Sequence, residues 1–178
     1  MSEIMIDIET LGRRAGCVIL SIGAVEFDKT KIIKEFEVHI DTDDSVKRGL
    51  FIDVSTVMWW LEQDKAAQQA LLARSNMKLE SALRAFKDAF NFKGKKVWCN
   101  GGSFDFPILN AAFDAIGIDA PWEFWNEMDM RTIKNAVGRT KWKDVSIPPT
   151  IAHSALADAI SQAKTLQKIF ATPEIMKW

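Results

Sequence analysis

The sequence predicts an α/β fold in which a mixed sheet, three antiparallel strands followed by parallel ones, is flanked by helices. Three observations predict it. Residues 3–8, 18–27 and 32–40 carry apolar, β-branched runs with strand periodicity. The last two of these are separated only by Asp28-Lys29-Thr30-Lys31, a turn composition that folds neighbouring strands back on one another. Beyond residue 54 helical spacing takes over and is interrupted by short strand-like runs, the alternation that parallel strands with crossover helices require.

The elements follow in order. Ser55 is the expected N-cap of a helix running through Trp59-Trp60-Leu61, and helical spacing restarts at Asp64 with Ala66, Ala67, Ala70, Leu71 and Leu72. Another helix covers Leu79 to Phe90. Lys96 to Cys99 form a short strand, Asn100 to Ser103 turn the chain, and Phe104 to Ile116 return as a helix that ends at Gly117, with Pro107 in its first turn. A brief strand around Trp125 to Asp129, a helix from Arg131 to Val137 and a last long helix from Ser154 to Phe170 complete the chain. No repeat, low-complexity stretch or linker interrupts it, so a single domain over residues 1–178 is expected.

Composition narrows the class. A chain of 178 residues with 48% hydrophobic content has enough apolar surface for a full core. No apolar run approaches the length that crosses a bilayer, and Met1-Ser2-Glu3 leads into a strand without the basic-then-apolar order of a signal peptide. A cytoplasmic location without membrane contact is the expectation. Cys17 and Cys99 have no paired spacing with histidine and read as buried thiols rather than zinc ligands or a disulfide. A net charge of −1 argues against a non-specific coat on nucleic acid. The local clusters differ: Lys93, Lys95 and Lys96 read as a solvated face, while Arg139, Lys141 and Lys143, shortly before His153, are candidates for phosphate contact.

Chemistry concentrates at the two ends of the chain. Asp7 and Glu9 interrupt the apolar run Ile4-Met5-Ile6-Asp7-Ile8, and residues two apart on a strand project from the same face. A third acid, Asp105, follows Asn100-Gly101-Gly102-Ser103-Phe104 where strand gives way to helix, a position at which the helix dipole favours a carboxylate. Asp158 lies on the final helix. His153, five residues earlier, cannot share its helical face and is expected on the preceding loop, leaning over the acids. Acids gathered near one point repel strongly unless a divalent cation neutralises them, and burying them unpaired costs several kcal/mol. The element order is compatible with a ribonuclease H-like core, with Asp7 and Glu9 on the central strand.

These residues resemble the DEDDh branch of the 3′–5′ exonucleases. Its motif D-x-E-T is Asp7-Ile8-Glu9-Thr10, its N-x-x-x-F-D is Asn100 through Asp105, and its H-x-x-x-x-D-A is His153 through Ala159. The resemblance covers most of residues 4–170. The sibling branch uses tyrosine for the histidine, and this chain has none. Thr56-Val57-Met58-Trp59-Trp60-Leu61 further resembles short phage and bacterial exonucleases related to ribonuclease AS.

The resemblance implies a hydrolase that removes nucleoside 5′-monophosphates from the 3′ end of single-stranded DNA or RNA. Asp7, Glu9, Asp105 and Asp158 would hold two Mg²⁺ or Mn²⁺ ions, hard cations suited to oxygen ligands, and His153 would act as general base toward the attacking water. Thr10, Leu11 and Asn100 are candidate contacts to the terminal nucleotide, with Thr10 and Leu11 offering backbone groups to its sugar. Trp59 and Trp60 point about 100° apart on a helix and cannot both face the core equally: either both serve as core or edge packing, or one is a platform for a terminal base, for which Phe104 is a second candidate. Trp98 reads as core and His39 as structural. The oligomeric state stays open between monomer and homodimer. A ribonuclease H-like endonuclease or a non-catalytic nucleic-acid-binding module are the rival readings; the first would not require the histidine motif, and the second would be expected to have lost one of these residues.

Overall fold

The computed structural model describes residues 2–72, 75, 77–151, 153–172 and 175. Its strands are β1 (Glu3–Thr10), β2 (Ile19–Phe27), β3 (Ile32–His39), β4 (Val97–Cys99) and β5 (Glu127–Asp129). They form one sheet in the order β3-β2-β1-β4-β5. β1–β2 and β2–β3 pair antiparallel, β1–β4 and β4–β5 parallel, so the mixed sheet is the predicted one. The described helices are α1 (Thr42–Lys47), α2 (Val54–Leu61), α3 (Lys65–Leu72), α4 (Leu79–Ala89), α5 (Asp105–Ala115), α6 (Met130–Val137), α7 (Arg139–Val145) and α8 (Ala155–Phe170). None of them is long and apolar enough to cross a membrane.

Strand alternation decides what each face of β1 meets. Ile4, Ile6 and Ile8 join the main core with Leu83 and Phe86 of α4 and Phe106 and Leu109 of α5. Met5 joins a second core with Ala159, Ala163 and Leu166 of α8. Asp7 and Glu9 continue the Met5 row, so the period of two carries them beneath α8. Both faces of the strand are covered, which is why its apolar run is nearly continuous.

The seating of α8 depends on Gly23 of β2, the residue paired with Asp7. A Cβ on Gly23 would stand 2.2 Å from both the carbonyl carbon of Ala155 and the amide nitrogen of Leu156. Only a bare backbone lets the first turn of the helix come this close. Ala155, Ala159 and Ala163 keep its buried face shallow over the first turns. Asp158, one turn into the helix, is thereby lowered toward β1.

Several boundaries differ from the sequence-based expectation. Asp53, not Ser55, caps α2: its carboxylate accepts from the Ser55 backbone N–H at 2.9 Å, and Ser55 is already helical. An aspartate two residues upstream is the stronger acceptor for the orphan donors of the first turn. α1, capped by Asp41, and α7, which follows Gly138 at φ 80°, have no counterpart in the predicted elements, because six or seven residues give too little periodicity to read. Trp125 lies in a 3₁₀ turn, Phe124–Asn126, and β5 starts only at Glu127. Phe104 caps α5, which begins one residue later at Asp105, and Pro107 sits in its first turn as expected. Cys17 and Cys99 are free, buried thiols, and Trp98 is core. Lys95 departs from the solvated-face reading: it forms a largely buried ion pair with Glu26.

Gly23→Ala should therefore cost the upper end of the usual overpacking penalty, about 2–3 kcal/mol, since the new methyl meets backbone rather than a flexible side chain. Thermal melting of the variant reads this directly, and a melting temperature equal to that of the wild type would contradict the close seating of α8.

Candidate active site

Asp7, Glu9 and Asp158 converge under the first turn of α8. One carboxylate oxygen from each lies within 4.8 Å of the others. Asp105, the first residue of α5 and 4% exposed, flanks this triad and bears electrostatically on both Asp7 and Glu9. The four acids thus come from three separate segments, β1, α5 and α8, as their sequence positions predicted.

Burial is the main reason all four carboxyls hold their protons more tightly than usual. Asp7 is raised well above the ordinary carboxylate range by burial and then by Asp105, Glu9 and Asp158, against the hydrogen bond from Gln162. Glu9 is pushed up to about 8 by burial, then by Asp158 and Asp105. Asp105 is pushed up to about 7 by burial, against the Cys99 thiol, backbone N–H groups and Arg131. Asp158 is raised by burial, opposed by His153 and the backbone N–H groups of His153 and Ser154. Repulsion of this kind is relieved by a cation. The donors fit a hard divalent ion, because they are carboxylate oxygens and the Cys99 thiol beside Asp105 is held protonated by burial.

Two residues that support the acids escaped the sequence reading. Gln162, one turn beyond Asp158 on α8, donates from Nε2 to Oδ1 of Asp7 at 2.8 Å. Its i+4 spacing from Asp158 was the available signal, since both then face the same strand. Cys99 reaches the carboxyl of Asp105, and only its place at the end of β4 hinted at that.

His153 lies, as expected, outside α8, whose N-cap is Ser154. It adopts φ 59°, a left-handed conformation unusual for a side-chain-bearing residue, and this sharp turn aims its ring back across the site. The imidazole packs edge-on against two indoles, 5.2 Å from Trp59 and 5.8 Å from Trp60 between centroids. It lines a cleft with Glu9, Ser21 and His39, so His39, half-buried on β3, borders the site rather than the core.

A cavity of about 460 Å³ opens beside Glu9, bounded by Thr10, Gly12, Arg13, Thr56, Trp59, Trp60 and Phe104. The tryptophan pair divides as its helical geometry demands: Trp60 is 1% exposed and Trp59 43%. Trp60 donates from Nε1 to the Thr10 carbonyl at 2.9 Å, tying α2 to the end of β1. The backbone of Leu11, expected to meet a sugar, is engaged within the fold instead: its N–H donates to Val18 and its carbonyl accepts from Asp53. The Thr10 hydroxyl likewise donates to the Gly12 carbonyl at 2.6 Å. Asn100 has its carbonyl occupied by Arg131 at 3.0 Å. Arg139, Lys141 and Lys143 lie on α7, and Lys168 of the later part of α8 donates to the Asp144 carbonyl of that helix.

A sheet of this topology with acids gathered at the end of its central strand defines a nuclease-type domain. The family model described as "3′-5′ exoribonuclease Rv2179c-like domain" matches residues 2–170, and the chain belongs to that family. It is 24% identical to the exodeoxyribonuclease of Enterobacteria phage T4, over 74% of this chain and 70% of the phage protein. Product-bound exonuclease I superposes with a TM-score of 0.69 at 14% identity, covering 98% of this chain. The present chain spans only 44% of that exonuclease I. The nuclease domain of 3′hExo, a DEDDh family member bound to rAMP, superposes with a TM-score of 0.64 at 11% identity over 99% of this chain and 94% of its own. The fold is thus that of the ribonuclease H-like DEDDh exonucleases.

Two outcomes follow from the geometry. Folded Glu9 and Asp105 keep protons up to about pH 8 and about pH 7 that the unfolded chain loses near its ordinary 4.5 and 3.8. The folded state therefore binds more protons across that window, and stability present at low pH is lost as pH rises through it. Metal-free protein should melt at progressively lower temperature from about pH 5 to about pH 8, and saturating Mg²⁺ or Mn²⁺ should flatten the trend; a melting temperature that rises with pH without metal would exclude the clustered, protonated acids. Trp60→Ala should lose about 3–5 kcal/mol of stability. Trp59→Ala should keep its melting temperature and bind a single strand about tenfold more weakly, the loss of one stacked base, by fluorescence anisotropy.

Proposed function

We propose that the chain is a metal-dependent enzyme that removes nucleoside 5′-monophosphates one at a time from the 3′ end of single-stranded DNA or RNA. The observation that carries this reading is the convergence of the Asp7, Glu9 and Asp158 oxygens within 4.8 Å, flanked by Asp105 and opening onto the aromatic cavity. Family membership supports the 3′–5′ polarity.

Asp7, Glu9, Asp105 and Asp158 would hold two Mg²⁺ or Mn²⁺ ions. When bound, such ions supply charge stabilisation to the attacking and leaving oxygens of the scissile phosphate. The protein's own groups do the remainder. Gln162 holds one oxygen of Asp7 in place, leaving the other free to turn inward. His153, braced by Trp59 and Trp60, takes the proton from the attacking water as general base. The half-exposed face of Trp59, with Phe104 across the same cavity, stacks the terminal base. Trp60 fixes the strand end that carries Glu9 and Thr10. Either sugar is in keeping with a family described by its exoribonucleases and a phage relative named as an exodeoxyribonuclease.

Asp7→Asn and Asp158→Asn should each abolish digestion of end-labelled single strands in Mg²⁺ while leaving the chain folded, and both should raise the melting temperature of the metal-free protein near neutral pH by removing a buried carboxyl that folding must otherwise protonate or hold against its neighbours' charge. His153→Ala should slow single-turnover hydrolysis about 10²–10⁴-fold with Mn²⁺ affinity retained. Near-normal turnover in either aspartate variant, or cleavage of circular single strands by the wild type, would overturn the assignment.

A further inference from the structure

Arg131 is the cation the sequence reading passed over. It is the second residue of α6, exposed, and stands on the β5 side of the acids, whereas the aromatic cavity lies on the α2 side of Glu9. Its Nη2 donates to the Asn100 carbonyl at 3.0 Å. Its guanidinium lies close against Gly101: a Cβ there would come within 2.9 Å of Nη2 and 3.3 Å of Cζ, and Gly101 itself adopts φ 135°. The Gly101 carbonyl accepts from the backbone N–H groups of Phe104 and Asp105, so the turn that carries Asp105 also seats the arginine. Arg131 also lowers the affinity of Asp105 for its proton, in opposition to burial.

The guanidinium nevertheless forms no ion pair among the described residues. The nearby carboxylate of Asp129 is committed to the helix start, accepting from the Gly102 and Arg131 backbone N–H groups and the Thr132 hydroxyl. One N–H of the guanidinium fixes its orientation on Asn100, and the rest of the planar fork is left to solvent beside a buried cluster of acids. An isolated, oriented arginine with several donors matches the oxygens of a phosphodiester.

We infer that Arg131 binds the phosphate immediately 5′ of the scissile one, so that a strand seated by its last base in the aromatic cavity crosses the acids and leaves over the Gly101 turn. This rests on the exonuclease reading and adds to it a site for the upstream backbone. It gives a chain of net charge −1 a local cation where a polyanion must pass an acidic site.

The test compares di- and trinucleotides in Mg²⁺, since only the trinucleotide has an upstream phosphate, using Arg131→Gln and Arg131→Lys. Wild type should show a lower KM for the trinucleotide. Arg131→Gln should raise that KM about tenfold, with the loss concentrated in KM rather than kcat, and should reduce the dependence of log KM on log salt by about one unit. Arg131→Lys should recover part of the loss. A trinucleotide with an uncharged methylphosphonate at the upstream linkage should impose on wild type the same loss and add nothing to it in Arg131→Gln. Equal losses on di- and trinucleotide, or a loss confined to kcat, would assign Arg131 to supporting Asp105 and overturn the proposal. Wild type that hydrolyses neither substrate would refute the exonuclease reading instead, and the proposal with it.

Discussion

Everything at the working end of this molecule depends on holding like charges together inside it. Asp7, Glu9 and Asp105 occupy places where a fold built for stability alone would set apolar side chains, and Asp158 is pressed down on them from above. Burial raises the proton affinity of every one of these carboxyls, and their mutual repulsion raises that of Asp7 and Glu9 further. Such an arrangement persists only because surrounding structure over-determines it.

The surrounding structure does so with few parts. β1 is central and covered on both faces, so its two acids cannot swing away from α8 without breaking the sheet. Gly23 lets α8 approach until its backbone would touch a methyl group, and the alanines along that helix maintain the contact. Gln162 then satisfies one oxygen of Asp7 from the same helix that brings Asp158. The aromatic wall does equivalent work on the other flank: Trp60 anchors α2 to Thr10, and both indoles pack against the ring of His153, which the left-handed turn at that residue brings back over the site. Rigid packing on both flanks fixes the orientation of these rings.

With 24 acidic residues against 23 basic ones, the chain offers a polyanion no general attraction. Any attraction must therefore be local. The triplet Arg139, Lys141 and Lys143 belongs to a short helix whose end is tied to the later turns of α8, Arg131 rides on the turn leading to Asp105, and Arg13 lines the cavity beside Glu9.

Much of the fold was legible in the order of residues because strand and helix periods are local properties. The three opening strands, the crossover helices and the long final helix each announce themselves within a dozen residues, and the acid motifs were legible because charge inside an apolar strand is conspicuous wherever it occurs. α1 and α7 were not, being too short for a period to register, and the cap of α2 falls on Asp53 rather than Ser55 because the Asp53 carboxylate reaches the Ser55 N–H of the first turn. That Trp59 and Trp60 cannot be equally buried was legible from their adjacency on a helix, but which of the two is buried depends on where α2 meets β1. Gly23, Gln162, Cys99 and Arg131 acquire their meaning solely from partners that lie far away in the chain or across the sheet, 155 residues distant in the case of Gln162 and Asp7. Local periodicity determined the elements and the identity of the acids; the distances among them, and the neighbours that hold them there, were decided by packing, which no single stretch of sequence contains.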